Sequence, residues 1–118
     1  MSASAPSCTE GVSLGKVVRR PTTAKAKSTA FYQWPMKGTA MGYSVVTTID
    51  GWAVRYTEWV TYDKKSHSGD WADSHGVELY NHTGDPDENA NQAGSAVYKV
   101  AQAALSAKLH AGWRAVPQ

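Results

Sequence analysis

Hydrophobic and polar positions alternate most regularly over residues 41–59, Met-Gly-Tyr-Ser-Val-Val-Thr-Thr-Ile-Asp-Gly-Trp-Ala-Val-Arg-Tyr-Thr-Glu-Trp, where two β-rich runs flank Asp50-Gly51. Asp-Gly suits a two-residue type I′ loop, whose two central residues need positive φ and whose twist matches that of the strands it joins. A β-hairpin is therefore predicted, with Ile49 opposite Trp52, Thr47 opposite Val54, Val45 opposite Tyr56 and Tyr43 opposite Glu58. One side then collects Tyr43, Val45, Ile49, Trp52, Val54 and Tyr56. The other carries Ser44, Val46, Thr48, Ala53, Arg55, Thr57 and Trp59. A two-stranded ribbon is marginal in water, so the apolar side calls for further strands and a helix.

The rest of the chain supplies them. Ala30-Phe31-Tyr32-Gln33-Trp34 is an aromatic run closed by Pro35, which cannot donate to a ladder, and the chain should turn through Met36, Lys37 and Gly38. Residues 63–76 are polar with almost no apolar period and are predicted to be a loop. Val77-Glu78-Leu79-Tyr80 alternates again as a short strand, and residues 81–91 are dominated by turn and cap residues. From Ser95 the apolar positions fall at Val97, Val100, Ala101, Ala104, Leu105, Leu109 and Trp113, the spacing of an amphipathic helix docking through Leu105, Leu109 and Trp113. Ser95 is its expected N-cap, and Gly112 with Pro117 its stop. About nineteen residues would span roughly 28 Å. The expected fold is α+β, a small antiparallel sheet of about four strands with one C-terminal helix packed on it. No internal repeat is visible.

Composition narrows this picture. At 118 residues, with 42% apolar content but one Phe, the chain allows one domain with a modest core, too small for a large enzyme fold. Residues 1–30, rich in Ser, Thr, Ala and Lys, read as a loosely ordered basic connecting segment, and residues 31–118 as the folded subdomain. The segment carries five Lys or Arg against Glu10, a charge of +4, and the remainder seven against nine, a charge of −2, which together give the net +2. Those five charges have no aromatic among them, so they read as a solvated connection and not as a nucleic-acid arm. No run of about 18 apolar residues offers a membrane span, and the first residues have neither the charged nor the apolar region of a signal peptide. The sequence leaves the compartment open.

Chemistry-bearing patterns are few. Cys8 is the only cysteine, which excludes an internal disulfide and zinc sites built on several thiolates. Asp85-Pro86-Asp87-Glu88-Asn89 starts like a calcium loop, but position six would be Ala90 instead of Gly and position twelve Ala96 instead of Glu. Turn and capping chemistry is the simpler reading. His67, His75, His82 and His110 are spaced so that no two share a helical face as a zinc helix requires. Asn81-His82-Thr83 is a glycosylation sequon, meaningful only on export from a eukaryotic cell. Five Trp and six Tyr would suit either a sheet core or a sugar-stacking surface.

Five blocks occur in order: Met41-Gly42-Tyr43-Ser44, Arg55-Tyr56-Thr57-Glu58-Trp59, Glu78-Leu79-Tyr80, Asp85-Pro86-Asp87-Glu88-Asn89 and His110-Ala111-Gly112-Trp113-Arg114. Together they resemble the C-terminal end of sulfatases of the iduronate-2-sulfatase type, over roughly residues 11–116. The segment from Phe31 to Pro35 resembles the Gln-Tyr-Pro-Arg segment preceding these blocks in that family. The resemblance implies a four-stranded sheet with a helix, packed beside a larger α/β catalytic part. It also implies that the chain is a portion of a sulfuric ester hydrolase shaping a sulfated-sugar pocket, with substrate contacts from Lys37, Trp34 and Gln33.

The family's nucleophile, a formylglycine made from the Cys of Cys-x-Pro-x-Arg or Cys-x-Ser-x-Arg, has no counterpart here. Cys8 is followed by Thr9, Glu10, Gly11 and Val12. The resemblance therefore assigns no catalytic residue and no metal ligand to this chain, and gives the formylglycine and a divalent cation such as calcium to the catalytic part. By itself the chain is expected to hydrolyse no sulfate ester. Where the family has Arg after Tyr-Pro this sequence has Met36, and where it has Arg two residues after Gly-Tyr-Ser it has Val46, leaving Lys37 as the neighbouring cation. Expected partners are the catalytic domain and a sulfated sugar, with neither nucleic acid nor membrane. The alternative is a free-standing carbohydrate-binding or interaction module using its aromatic sheet face.

Overall fold

The computed structural model describes residues 13–23 and 27–115, except for the side chain of Trp113. Cys8, the start of the basic segment and Pro117 lie outside the described residues. A short helix α1 (Gly15–Arg19), which buries none of its residues, precedes strands β1 (Ala30–Pro35), β2 (Ala40–Ile49), β3 (Trp52–Asp63) and β4 (Ser68–Asn81). A 3-10 turn (Ala96–Tyr98) leads into helix α2 (Lys99–Ala111), and a second one (Trp113–Ala115) follows it. The strands form one antiparallel sheet in the order β1-β2-β3-β4, so each strand pairs with its neighbour in sequence. This is the α+β architecture read from the sequence.

Local chemistry sets the register. Asp50 and Gly51 take φ of 50° and 81°, the positive pair that a type I′ loop needs, and the four predicted cross-strand pairs are all present. The apolar side of the hairpin faces α2. Val45, Val54, Tyr56 and Leu79 from the sheet meet Leu105 and Leu109 from the helix in one buried cluster, flanked by Phe31, Ile49, Trp52 and Tyr98. Beside the cluster, the buried Thr29 shares a 2.9 Å hydrogen bond with Thr47, so packing reaches just ahead of β1.

Two expectations are corrected. The polar stretch 63–76 is not a loop: β3 runs on to Asp63, the chain reverses through residues 64–67, and β4 starts at Ser68 opposite Asp63. Backbone pairing with a long β3 decides this, because a solvent-exposed edge needs no apolar alternation. Its polar side chains bond locally, with Asp63 accepting from Ser66 and the Lys65 amide, and Thr61 donating to Asp73 at 2.6 Å. The register slips where Val60 faces Ser74 but Thr61 faces Asp70. The bulge frees Trp71 to turn back onto Tyr43 and His110, with ring centroids 4.9 and 4.2 Å apart.

The helix is also shorter than its apolar period suggested. Regular α-helix covers 13 residues, and its buried stripe is Ala101, Leu105 and Leu109. Val97 and Val100 are 72% and 81% exposed and contribute nothing to the core. Ser95 makes no side-chain cap; its carbonyl accepts from the Tyr98 amide, and Gln102 reaches back to the Gly94 amide. The predicted stop holds: Gly112, at φ 75°, donates to the carbonyls of Lys108 and Leu109.

Candidate functional site

Each sheet face holds one polar cluster. On the helix face the centre is Glu58, a buried carboxylate on β3. Tyr56 and Ser106 donate to its Oε1 at 2.8 and 2.7 Å, and His110 donates from Nε2 to Oε2 at 2.9 Å. Burial opposes its charge, yet the bonds from Ser106, His110 and Tyr56 outweigh that and hold the carboxyl below its ordinary pKa. Burial raises the Tyr56 phenol, and its bond to Glu58 raises it further. Ser106 and His110 both bond to the carboxylate and not to each other, so they do not form a serine–histidine nucleophile pair. Tying α2 to β3 is what this arrangement does.

On the opposite face no helix packs among the described residues. Arg55, the fourth residue of β3, donates through Nε and NH2 to both oxygens of Glu88 at 2.6 and 2.5 Å, and through NH1 to Thr57 and Glu78 at 2.9 and 3.2 Å. Its guanidinium also lies 4.9 Å from the Tyr80 ring centre. His82 adds a 2.6 Å contact to Glu88. The fork-to-fork bond from Arg55 lowers Glu88 to a pKa of about 2, and the same bond keeps Arg55 fully charged. Tyr32, Trp34, Gly42, Ser44 and Trp59 complete a cleft of about 430 Å³ with Arg55, Thr57 and Glu78.

The Arg55–Glu88 pair makes stability sensitive to acid. Because Glu88 is more acidic in the fold than its ordinary value of about 4.3, its contribution is fully present above that pH and is lost as pH falls towards 2. Glu88→Gln is expected to cost about 1–2 kcal/mol at pH 7, discounted for partial exposure, and progressively less below pH about 4. Chemical unfolding of both proteins across that range checks this; a difference independent of pH would contradict the pairing.

The three residues expected to contact substrate do not converge. Gln33 and Trp34 are consecutive on β1, so the pleat sends them to opposite faces. Gln33 lines a cleft of about 400 Å³ with Phe31, Tyr43, Trp71 and Leu109, whereas Trp34 lies on the open face. Lys37 is exposed in the β1–β2 turn. Trp34 therefore joins Tyr32, Arg55, Trp59 and Glu78, none of which the sequence nominated as a site residue. Strand alternation already put Arg55, Thr57 and Trp59 on one face, but nothing local in sequence signalled that Glu88 would fold back onto Arg55.

The acidic run divides its labour as turn chemistry. Asp85 accepts from the Asn89 side chain and the Ala90 amide, while Glu88 goes to Arg55. His75 bonds to Thr61, away from the clusters of His82 and His110. Among the described residues no three His, Cys, Asp or Glu are grouped to hold a metal ion. Glu10 and Val12 stand at the positions after Cys8 where the formylglycine motif has Pro or Ser and then Arg. No family model matches the chain, and no curated protein is matched by it.

Proposed function

We propose that the chain is the C-terminal subdomain, or a truncated gene product, of an iduronate-2-sulfatase-like sulfatase, forming one wall of a sulfated-sugar pocket without catalytic groups of its own. The observation that carries this reading is the set of five sequence blocks in family order. Their charged members also depend on one another in space: Arg55 of the second block pairs with Glu78 of the third and Glu88 of the fourth, and Glu58 of the second pairs with His110 of the fifth. Such mutual dependence gives these residue types a structural reason to occur together. The catalytic part would supply the formylglycine and the divalent cation.

Two tests follow from this reading. DNA upstream of the gene should encode Cys-x-Pro-x-Arg or Cys-x-Ser-x-Arg together with a set of metal ligands, and upstream DNA with neither in any frame would overturn the reading. In the complete enzyme the β1–β2 turn would reach the pocket rim, with Gln33 and Trp34 on its flanks and Lys37 as its cation. A sulfated uronate offers a carboxylate that an exposed lysine can pair with, contributing on the order of 1 kcal/mol. Lys37→Ala should then raise KM several-fold for a sulfated uronate with kcat nearly unchanged, since the contact is equal in ground and transition states. An aryl sulfate lacking the carboxylate should show no change. Equal effects on both substrates would remove Lys37 from the pocket.

A further inference from the structure

The open sheet face carries two parallel rows of side chains. In one row Trp34, Gly42 and Trp59 are cross-strand neighbours on β1, β2 and β3. In the next row, two residues along each strand and about 7 Å away, Tyr32, Ser44, Thr57 and Glu78 are cross-strand neighbours on all four strands. The first row is aromatic. The second is hydroxyl, hydroxyl, hydroxyl and carboxylate.

Each row is held in place. A Cβ at Gly42 would sit 2.8 Å from the Trp59 ring, so the indole lies directly over that glycine, and its Nε1 donates to Glu78 Oε1 at 3.1 Å. The glycine leaves room for a flat ring, and the carboxylate fixes it. Trp34, 70% exposed, stands on the other side of Gly42. In the second row the buried Ser44 and Thr57 hydroxyls bond each other at 2.7 Å. That leaves the Tyr32 phenol and the Glu78 carboxylate as its accessible ends. The cleft volume of about 430 Å³ lies within the range of small-molecule sites.

We propose that this cleft is a binding site for an uncharged carbohydrate, with a pyranose ring laid on Trp34 and Trp59 and its hydroxyls bonded to Tyr32 and Glu78. A sugar ring has an apolar C–H face and polar edges, which is the division the two rows present. Charge argues for a neutral ligand. Arg55 is the one Lys or Arg lining the cleft among the described residues and already makes four hydrogen bonds, to Glu88, Thr57 and Glu78, and these two carboxylates with the guanidinium sum to −1. A sulfate or uronate group here would meet net repulsion and find no free donor fork. The inference rests on the open face alone; it shares Trp34 with the sulfatase reading and depends on no other part of it.

The test uses the full chain, labelled with ¹⁵N, and follows the indole N–H signals of Trp34 and Trp59. Cellohexaose, xylohexaose and chitotriose serve as neutral probes, and a heparin-derived hexasaccharide as the sulfated one. A neutral probe should move both signals saturably at concentrations up to about 10 mM, and Trp34→Ala, at an exposed position, should weaken binding about tenfold without changing the melting temperature. Trp59→Phe keeps a ring but loses the bond to Glu78, and should weaken binding less than Trp34→Ala. The proposal is overturned if no neutral probe moves the signals, if only the sulfated probe does, or if binding is indifferent to Trp34→Ala.

Discussion

Leu105→Ala is expected to cost about 3–4 kcal/mol, which is a large share of the 5–15 kcal/mol that holds a small domain together. Leu105 is fully buried and sits in the same cluster as Val45, Val54, Tyr56 and Leu79, one residue from each of four positions on three strands of the sheet. Ala101 and Leu109 are the other buried residues of α2, so the helix touches the sheet along a narrow stripe. A void at the centre of that stripe cannot be filled by its neighbours without moving the helix, so the lost transfer energy and the cavity add. Val100→Ala serves as the comparison, because Val100 lies on the outer side of the same helix and is expected to change stability by less than about 0.5 kcal/mol. Urea unfolding of the three proteins decides the matter. Coincident midpoints for Leu105→Ala and Val100→Ala would mean that α2 docks through a different face.

Glu58→Ala should be nearly as damaging, at about 2–4 kcal/mol, although it removes a charge from a buried position. The reason is what the carboxylate leaves behind. The Tyr56 hydroxyl belongs to a residue only 2% exposed and would lose its acceptor, and Ser106 and His110 would lose their link to β3 across 48 and 52 residues of chain. His110 is further fixed by Trp71, which itself rests on Tyr43, so the clasp extends from the helix end to the bulge in β4. Glu58→Gln keeps the shape and an acceptor oxygen and should cost only about 1–2 kcal/mol. The two variants also differ from the parent in acid. Glu58 is held below its ordinary pKa in the fold, so its contribution is present above that value and disappears as pH falls through the lower one. Neither variant can show that loss at position 58. Unfolding free energies compared at neutral pH and in mild acid would expose a wrong assignment if Glu58→Gln kept the whole of the parent's acid sensitivity.

The hairpin at Asp50-Gly51 was legible because a two-residue loop with positive φ fixes the pairing of everything beside it, and alternation then divides the hairpin residues between two faces. The buried helix positions Leu105 and Leu109 were legible from their spacing. These are local or period-based features, and residues near in sequence decide them. Trp113, the third docking residue that the period named, has its side chain outside the described residues.

What tertiary structure alone decided has a common cause, which is that the outcome depends on a partner segment and not on a residue's own side-chain pattern. Residues 68–76 became strand because β3 offered them an edge, not because their own side chains alternate. Val97 and Val100 fit the helical period but stay in solvent, since the stripe of α2 that is buried consists of Ala101, Leu105 and Leu109. Glu88 reaches Arg55 across 33 residues, and His110 reaches Glu58 across 52. Conversely, Gln33 and Trp34 are adjacent in sequence, and a strand's two-residue repeat separates them onto opposite faces. The residue types for a core, a clasp and an aromatic cleft are written in the chain; which of them share a face depends on the pleat and on which distant segment folds back to cover it.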